Sequence, residues 1–433
     1  MNKKEIFQEI IKNFQEISFK GIKSRELILP LDSGKIITVS GVRRSGKTYL
    51  LLDAVQRLVK KAGNFKQIVF INFEDERLEI GKNDLDLIIR AYQELYPEQD
   101  ISKVYFFFDE IQNIEGWEKF TRRIYDSVSK HIFITGSNAK FLSKDISTTL
   151  RGRSLNYEMY PLSFSEFLKF SKVSADIHSS KNRAKIAAKS KDYLSNGGFP
   201  ELLSLEKTFL LKTLQEYFDV MLFRDIIERY KRKTHAHLLK YFIKRLLSSI
   251  STPVSIHKIY NELKSQGYKI DKNLLYELIE ELNSIYLFFP LRKYSASTIK
   301  REMTEKKIYI VDNGLANAIS FNLSENKGNL LENAVFMRLY SMGSSIYFYK
   351  NRKECDFIKI GKDGKKEAHQ VCHDLSEEAV KKREFDGLIE ACSELKIKSG
   401  YVITMSEEFE KTISGIKIKV MPFYKWALTK LND

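Results

Sequence analysis

Short apolar runs rich in β-branched and aromatic residues recur through the first 140 positions. They are Lys35–Ser40, Gln67–Phe73, Lys103–Glu110 and His131–Ser137. Strands that are apolar on both faces are typical of a parallel sheet buried beneath helices. Between the first two runs, Tyr49–Lys60 has apolar residues at helical spacing. The pattern predicts an α/β fold in which a parallel sheet carries helices on both faces.

The first 17 residues have a helical rather than an alternating pattern. Ile6, Ile10, Phe14 and Ile17 fall on one face of a helix. Charged residues interrupt this segment every few positions, which excludes a secretory signal peptide. We therefore expect an amphipathic helix at the start of the chain.

The middle of the chain is predominantly helical. Residues 161–230 predict a helical lid or connector with a turn at Asn196–Pro200. Residues 231–312 contain three helical segments, which are His237–Ser249, Ser255–Ser265 and Asp271–Leu282, followed by β-rich runs at Ile285–Lys293 and Lys307–Val311. That order is typical of a winged helix-turn-helix domain, a common DNA-binding fold.

The last segment, residues 313–433, predicts one helix, three strands, a second helix and two further strands. This order resembles the restriction-endonuclease-like, PD-(D/E)xK fold. Such nucleases hold Mg²⁺ with an Asp and a D/E-x-K motif on neighbouring strands. Asp356 and Glu332 match the first acid and an auxiliary acid, but Gln370 and Cys372 stand where the motif needs an acid and a lysine. We therefore expect a nuclease-like domain that has lost catalysis.

The loop between the first predicted strand and helix has the sequence of a phosphate-binding P-loop. It reads GVRRSGKT, which fits G-x-x-x-x-G-K-[ST]. Its glycines let backbone N–H groups surround an anion at the positive end of the next helix. Lys47 is expected to reach the β- and γ-phosphates, and the Thr48 hydroxyl to ligate Mg²⁺. The predicted nucleotide contacts in this segment are Gly41, Val42, Arg43, Arg44, Ser45, Gly46, Lys47, Thr48 and Tyr49.

Two acids end the third apolar run, which reads KVYFFFDE. Ligands bind at the carboxyl ends of strands in open α/β sheets. We expect Asp109 to hold Mg²⁺ through water at this edge, and Glu110 to polarise the attacking water. A structural alternative is that the acids only cap the strand, but their place downstream of a P-loop favours hydrolysis.

Polar residues farther along are candidates for contact with the γ-phosphate. In the AAA+ and related superfamilies, the strand after the DE strand ends in a polar sensor, and Ser137 or Asn138 matches it. Arg151 and Arg153 follow in the sequence LRGR. An arginine stabilises the charge of phosphoryl transfer, from the same chain or from a neighbour. A strand-end turn, or a surface salt bridge for the arginines, remains an alternative role.

Seven sequence motifs occur in an order that resembles a prokaryotic family of AAA-type P-loop ATPases with an appended C-terminal domain of unknown function. They are GVRRSGKT, FFFDEIQNIEGWE, ITGSNAKFLS, LRGRSLNYEMYPLSFSEF, YLSNGGFPE, FRDIIERY and KIYIVDNGL. The resemblance covers nearly the whole chain. It implies ATP binding at residues 41–48 and Mg²⁺-dependent hydrolysis by Asp109 and Glu110, and it implies no particular biological role.

Length and composition exclude several classes of protein. The 433 residues predict four segments, 1–160, 161–230, 231–312 and 313–433. A hydrophobic content of 43% excludes wholesale disorder. Three cysteines without a CxxC motif favour reduced thiols in a cytoplasmic protein. No apolar run approaches the roughly 18 residues that a membrane helix needs.

The net charge of +16 suggests an anionic partner such as nucleic acid. The basic residues around the predicted winged helix are Lys231, Arg232, Lys233, Lys240, Lys244, Arg245, Lys258, Arg292, Lys293, Lys300, Arg301, Lys306 and Lys307. The predicted recognition helix, Asp271–Leu282, carries four acids and one lysine, so any DNA contact is expected to be with the backbone.

Two roles therefore remain open. In one, the protein is a DNA-associated ATPase. In the other, it is an ATP-driven switch that docks a protein partner. An active nuclease is the least favoured function. An arginine supplied by a neighbour requires an oligomer, which the sequence leaves open.

Overall fold

A computed structural model describes residues 2–19, 21–137, 150–228, 236–295, 305–320 and 327–429. The chain divides into two compact units, residues 1–159 and 160–433. No helix within the described ranges is long and apolar enough to cross a membrane. Cys355, Cys372 and Cys392 are buried and have free thiols.

Within the described residues, the first unit is a five-stranded parallel sheet with helices on both faces. Its helices are α1 (Lys3–Gln15), α2 (Lys47–Ala62), α3 (Asp86–Leu95) and α4 (Trp117–Ser127), and its strands are β1 (Ile36–Gly41), β2 (Ile68–Asn72), β3 (Tyr105–Asp109), β4 (Ile132–Gly136) and β5 (Ser154–Met159). The strand order is β2-β3-β4-β1-β5, with every neighbouring pair parallel. The predicted parallel α/β fold is confirmed. In the sheet, β4 lies between β1, which precedes the P-loop, and β3, which ends at Asp109. In the sequence, β4 follows both of these strands.

The side chains of the apolar run in β3 are buried in two different hydrophobic cores. Successive side chains of a strand point to opposite faces. Phe106 and Phe108 therefore lie in the core that includes residues of α1, α3 and α4, whereas Phe107 lies in the core beneath α2. There its ring stacks on that of Phe133 with 4.7 Å between centroids. All four rings are buried, which is why the run shows no polar alternation.

Helix α1 forms as predicted, but its buried face differs. A capping box of Asn2 and Glu5 starts the helix. Its buried residues are Phe7, Ile10, Ile11 and Phe14. The helix ends at Gln15, so Ile17 lies beyond it and is 46% exposed. The prediction that Ile17 extends the apolar face was wrong because the helix stops first.

The second unit begins with helical segments. They are α5 (Phe164–Phe170), α6 (Ser180–Asn196), α7 (Lys207–Val220) and a π-helical segment, Met221–Glu228. Both α6 and α7 pack against α11 (Asn313–Ile319), which comes more than 90 residues later. The segment predicted as a lid therefore belongs, by its contacts, to the same compact unit as the end of the chain.

Two turns interlock in this unit. The Asp312 carboxylate accepts hydrogen bonds from the backbone N–H of Gly198 at 2.7 Å and of Leu315 at 3.1 Å. Gly197 has a φ of 78°, and a Cβ there would lie 1.9 Å from Oδ1 of Asp312, so only glycine fits. The sequences YLSNGGFPE and KIYIVDNGL, 114 residues apart at this contact, therefore form one structural junction.

Three helices and a small antiparallel sheet occupy the described residues of the next segment, 236–295 and 305–310. They are α8 (Ala236–Leu247), β6 (Pro253–Val254), α9 (Ile256–Ser265), α10 (Lys272–Ser284), β7 (Phe288–Arg292) and β8 (Lys306–Ile310), with sheet order β6-β8-β7. Ser255 and Asp271, predicted as first helical residues, are N-caps that accept from backbone N–H groups of the first turn. The predicted helices are present, with these two starts shifted by one residue.

The final segment forms a six-stranded mixed sheet within the described residues. Its elements after α11 are α12 (Lys327–Ser341), β9 (Ser345–Lys350), β10 (Glu354–Ile360), β11 (Lys366–Val371), α13 (Glu378–Leu395), β12 (Ser399–Thr404), β13 (Phe409–Ile413), β14 (Ile416–Pro422) and α14 (Phe423–Leu428). The strand order is β13-β14-β12-β11-β10-β9. Strand β13 was not predicted, because it is an exposed edge strand without a buried alternation. It pairs with β14 through a turn in which Ser414 and Gly415 both have positive φ.

Candidate functional site

The loop between β1 and α2 has the geometry of an anion-binding loop. Gly46, the N-cap of α2, has a φ of 97° and leaves the helix without a side-chain cap. The backbone N–H groups of the first turn are therefore available to a ligand. Ser45 is buried, and its Oγ has no hydrogen-bond partner among the described residues. An unpaired buried hydroxyl is costly, so a phosphate oxygen fits here.

Gly41 is required by packing. It has a φ of 155°, and a Cβ at this position would lie 2.0 Å from the carbonyl oxygen of Met159 at the end of β5. The close approach of these two parallel strands therefore needs a residue without a side chain. The first glycine of the motif thus fixes where the loop leaves the sheet.

The Lys47 ammonium lies inside the loop. Its Nζ is 3.2 Å from the Gly41 oxygen, 3.4 Å from the Val42 oxygen and 3.3 Å from Oε1 of Glu110. The side chain is only 4% exposed. This cation therefore lies between the carbonyl groups of the loop and Glu110, the acid that follows β3.

Asp109 ends β3 and meets the start of α2. Thr48 donates from Oγ1 to Oδ2 of Asp109 at 2.7 Å, and Thr135 donates from Oγ1 to Oδ1. Burial raises the pKa of Asp109, the hydrogen bonds from Thr135 and Thr48 offset part of that rise, and the charge of Glu110 adds to it. The structure thus brings together Thr48 and Asp109, the two residues predicted to hold a metal ion.

Glu110 is buried in an unusual backbone conformation. Its φ of 50° is in the left-handed region, which residues with side chains seldom adopt and which is common at functional sites. Its N–H donates to Oγ1 of Thr135 at 2.9 Å. Burial acts to raise the pKa of Glu110, but the Lys47 ammonium, the Gln112 amide and the Arg43 guanidinium together lower it below its usual value. Glu110 is therefore an ionised carboxylate that can accept a proton.

The other predicted loop contacts differ in their surroundings. Val42 is fully buried. Arg43 forms an ion pair with Glu74, with 3.0 Å between Nη1 and Oε1. Arg44 has a φ of 65°, and Tyr49 is 62% exposed. Val42 therefore faces the core, whereas the Tyr49 side chain is largely exposed to solvent.

The two candidate sensors follow β4. Ser137 is buried just beyond the end of that strand, at the same sheet edge as Asp109 and Glu110. Asn138 lies outside the described residues. Ser137 is therefore the candidate that the structure places beside the acids.

Arg151 and Arg153 lie at the amino-terminal ends of the strands, opposite the end that carries the P-loop and the two acids. They precede β5, whose first residue, Ser154, pairs with Ile36 at the start of β1. The P-loop follows the other end of β1, which has six residues and is therefore about 20 Å long. Arg153 also pairs with Asp126 at 2.9 Å. Of the two alternatives left open by the sequence, action within the same chain does not fit this distance, whereas supply to a neighbouring chain does not depend on it.

Sequence patterns missed two residues that support the site. Thr135 contacts both acids because β3 and β4 are neighbours. The sequence did contain a signal for it, because Thr135 is a polar residue in an apolar strand, two residues before the candidate sensor Ser137. Arg25 donates from Nη1 to the carbonyl oxygen of Ser45 at 2.8 Å. No motif points to Arg25, since it lies 20 residues before its partner.

The predicted basic surface is smaller than the sequence suggested. Arg245 makes two hydrogen bonds to Glu262, at 2.9 and 3.2 Å. Lys307 is 1% exposed and lies among carboxylates, so its assignment to a surface cluster was wrong. The exposed basic residues of this region include Lys240, Lys244, Lys258 and Arg292, whereas Lys293 and Lys306 are half-buried. Lys231, Arg232, Lys233, Lys300 and Arg301 lie outside the described residues.

The two acids singled out in the last segment come together. Glu332 and Asp356 lie 3.2 and 3.0 Å from Nζ of Lys307. Gln370 accepts a hydrogen bond from the backbone N–H of Asp356 at 3.3 Å. Within the described ranges, no group of three or more His, Cys, Asp and Glu side chains is arranged to hold a metal ion. A buried lysine is therefore the counter-charge of these acids.

Comparison with protein families divides the chain into three matched segments. Residues 33–168 match a family described as AAA domain. Residues 187–327 match a domain of unknown function, DUF8612, and residues 327–426 match another, DUF4143. The first match contains the P-loop, both acids and Ser137, and the other two lie in the second compact unit.

Two relatives cover most of the chain. An uncharacterized protein of Methanocaldococcus jannaschii, MJ1544, is 36% identical over 99% of this chain and 96% of its own length. An uncharacterized protein of Haemophilus influenzae is 33% identical over 77% of this chain and 82% of its own length. Among solved structures, C. elegans PCH-2 is 16% identical, with a TM-score of 0.31, over 48% of this chain and 61% of that chain. A TM-score this low does not establish a common fold.

Proposed function

Because the chain belongs to the family of AAA-domain proteins that includes MJ1544, we propose that it binds ATP with Mg²⁺ at the P-loop and hydrolyses the ATP. The observation that supports this most is the convergence of Lys47, Thr48, Asp109 and Glu110 where β1 and β3 end. The unpaired Ser45 hydroxyl and the uncapped start of α2 fit a phosphate group at the same place.

Each of these residues has a separate part in hydrolysis. Lys47 exchanges its contact with Glu110 for phosphate oxygens, which releases the carboxylate. Thr48 and Asp109 hold Mg²⁺, which when bound neutralises charge on the phosphates. Glu110 orients the attacking water and accepts its proton. Thr135 holds the backbone of Glu110 through a 2.9 Å hydrogen bond and thereby fixes the direction of that carboxylate.

The variant Lys47→Ala tests the phosphate site. We expect its dissociation constant for a fluorescent ATP analogue to rise at least about tenfold and phosphate release to be lost, because the buried cation is removed. Lys60→Ala, at an exposed position on the same helix, is the control and should bind ATP as the wild type does. Unchanged ATP binding by a folded Lys47→Ala chain contradicts the proposed site.

For the second unit, we propose contact with the DNA backbone through a winged-helix arrangement of residues 236–310. The order helix, strand, helix, helix, strand, strand supports this arrangement. The exposed residues Lys240, Lys244 and Arg292 supply positive charge. Helix α10 carries exposed Glu277 and Glu280, so the contacts are with phosphates and not with base edges. A protein-docking surface is the alternative.

A salt titration separates these two roles. If DNA phosphates are bound, log K falls linearly with log salt concentration, with a slope of about −0.9 for each phosphate contact. Lys240→Gln with Lys244→Gln should reduce the magnitude of that slope, whereas Lys60→Gln in the first unit should not. DNA affinity that stays undetectable at low salt rejects the DNA role and leaves protein docking.

We also propose that residues 313–433 have a nuclease-like fold without nuclease activity. The helix, three strands, helix and strand around Asp356 support the fold. Gln370, which is neutral, and the buried Lys307 support the loss of catalysis. Linear and branched DNA should therefore remain intact with Mg²⁺ or Mn²⁺, and cleavage that disappears in Asp356→Ala contradicts this assignment.

A further inference from the structure

The motif FFFDEIQNIEGWE continues beyond the two acids into a short turn that places a glutamine against Glu110. The turn is a single 3-10 helical turn, Ile111–Asn113. Ile111 and Ile114 are buried in the core that includes residues of α1, α3 and α4. These two side chains anchor the turn, and the half-buried Gln112 between them contacts the Glu110 carboxylate.

The two oxygens of the Glu110 carboxylate have different partners. The Lys47 ammonium lies 3.3 Å from Oε1, whereas Gln112 donates from Nε2 to Oε2 at 2.5 Å. The amide can face the acid only with its nitrogen, because an ionised carboxylate accepts hydrogen bonds and an amide oxygen cannot donate one. In the proposed hydrolysis, Lys47 moves to the phosphates. Oε1 is then free for the attacking water, while Oε2 remains bound to Gln112.

The oxygen of the same amide is unsatisfied. Oε1 of Gln112 is buried and has no hydrogen-bond partner among the described residues. A buried acceptor without a donor is costly, so a ligand that donates a hydrogen bond fits here. A water molecule has two protons and can donate to two neighbouring acceptors at once. Gln112 and Glu110 therefore offer one acceptor for each proton of the same water.

The side chain of Glu110 depends on Gln112 for its orientation. Thr135 accepts a hydrogen bond from the backbone N–H of Glu110 and so holds its main chain and not its carboxylate. Burial acts to raise the pKa of Glu110, whereas Lys47, Gln112 and Arg43 lower it. When phosphates neutralise Lys47, the contact with Gln112 still favours the ionised carboxylate.

We propose that Gln112 positions both the base and the water of hydrolysis: its Nε2 holds Oε2 of Glu110, and its Oε1 accepts a hydrogen bond from the attacking water. This inference rests on the proposed ATP hydrolysis at the P-loop. Gln112 gains and loses no proton. The water gives one proton to Oε1 of Glu110 and its oxygen bonds to the γ-phosphorus, while the bond from that phosphorus to the leaving oxygen of ADP breaks with its electron pair.

Two variants of nearly the size of glutamine, Gln112→Leu and Gln112→Glu, test this role in the full-length chain. Leucine neither donates nor accepts a hydrogen bond. We therefore expect kcat for phosphate release by Gln112→Leu to fall at least about tenfold, with an unchanged KM for ATP. Gln112→Glu keeps an acceptor but places a second carboxylate beside Glu110.

The pH dependence of kcat distinguishes positioning from a structural role. Hydrolysis needs the ionised form of Glu110, so kcat falls as the pH drops through the pKa of this group. Loss of the hydrogen bond from Gln112 raises that pKa, and a second carboxylate raises it further. The acid limb of the kcat profile should therefore move to higher pH in Gln112→Leu and farther in Gln112→Glu.

Gln56→Leu is the matched control. Gln56 is also half-buried in the first unit, on α2, and its Nε2 donates to the carbonyl oxygen of Phe19 at 3.4 Å. This variant should keep the wild-type kcat and pH profile. A Gln112→Leu chain with the wild-type rate overturns the proposal, and so does one that is slower but has an unmoved acid limb.

An infrared titration separates this inference from the proposed hydrolysis, because it needs no turnover. The band of the Glu110 carboxyl is identified by its loss in Glu110→Gln. We expect its pKa to be higher in Gln112→Leu than in the wild type, and an unchanged pKa overturns the inference. A wild type that releases no phosphate contradicts the hydrolysis, and the titration still decides whether Gln112 holds Glu110. Should Gln112→Leu fail to fold, Gln112→Met, which is also uncharged and of similar length, replaces it in both measurements.

Discussion

Two buried lysines show how different the same residue can be. Lys47 lies between P-loop carbonyls and a single carboxylate, at the start of a helix that no side chain caps. Lys307 is surrounded by three carboxylates. The first ammonium can exchange its partner for a phosphate, whereas the second is already neutralised by the chain itself. A motif identified Lys47, but no motif distinguishes Lys307 from a surface lysine.

Glu110 is the residue on which hydrolysis depends most directly in the proposed function. We expect Glu110→Gln to lower kcat by roughly 10²–10⁴-fold while ATP binding is retained, because glutamine fills the same space but cannot accept the proton of water. Phosphate release and ATP affinity, measured on the same preparation, check this prediction. Glu115→Gln, at an exposed position nearby, should keep the wild-type rate. Full turnover in Glu110→Gln means that another group is the base.

At the scale of elements, the junction between the turn after α6 and the start of α11 explains two sequence motifs that carry no chemistry of their own. Asp312 caps α11 through Leu315 and also accepts from Gly198. Gly197 approaches this carboxylate so closely that a side chain has no room. Both motifs are therefore constrained by one contact, which holds distant parts of the second unit together.

The buried carboxyl of Asp312 predicts a specific pH dependence. Burial raises its pKa to about 6, against backbone hydrogen bonds that lower it. The folded chain thus holds this proton more tightly than the unfolded chain. At 1.36 kcal/mol per unit of pKa difference, this group contributes about 3 kcal/mol to the free energy of unfolding. The contribution is greatest below about pH 4 and is lost as the pH rises to about 6. Asp312→Asn should remove this change.

Urea unfolding at pH 4.5 and pH 6.5 measures this effect. The gap in unfolding free energy between wild type and Asp312→Asn should be larger at pH 4.5. The variant is expected to be less stable throughout, because its amide cannot accept both backbone N–H groups. Asp271→Asn makes the same exchange of carboxylate for amide at another N-cap, that of α10, and is the control for that exchange. Parallel stability profiles of wild type and Asp312→Asn contradict the shifted pKa.

At the scale of the whole molecule, the two ends of the parallel strands in the first sheet have different parts in the proposed function. The P-loop and both acids lie where β1 and β3 end, whereas Arg151 and Arg153 lie where β5 begins. An arginine from this end can therefore serve only a nucleotide bound to another chain. If these arginines contribute to hydrolysis, the active form is an oligomer.

Mixing two inactive chains tests this arrangement. The Arg151→Ala, Arg153→Ala chain keeps its own site, and the Glu110→Gln chain keeps its arginines. We expect the mixture to release phosphate faster than either chain alone, since an arginine finger contributes about 10³–10⁵-fold to the rate. A mixture of Glu110→Gln with Lys47→Ala, in which every site is defective, should show no recovery. Wild-type turnover by the arginine variant excludes the role.

The local pattern determined much of this protein. Continuous apolar strands such as Phe106–Phe108 can be buried only between two helical layers, so the parallel sheet followed from the sequence. The P-loop was also predictable from the sequence, because a turn with Gly46 in the left-handed region and a lysine directly after it depends on neighbouring residues alone.

Only the tertiary structure decided which distant groups meet. Thr135 reaches Asp109 because β4 lies between β3 and β1. Arg151 is separated from the P-loop of its own chain by the length of a strand. Lys307 is buried because its three acidic partners fold over it from later elements. A hydrophobic pattern records which side of an element is buried, but not which charged groups from elsewhere share that interior.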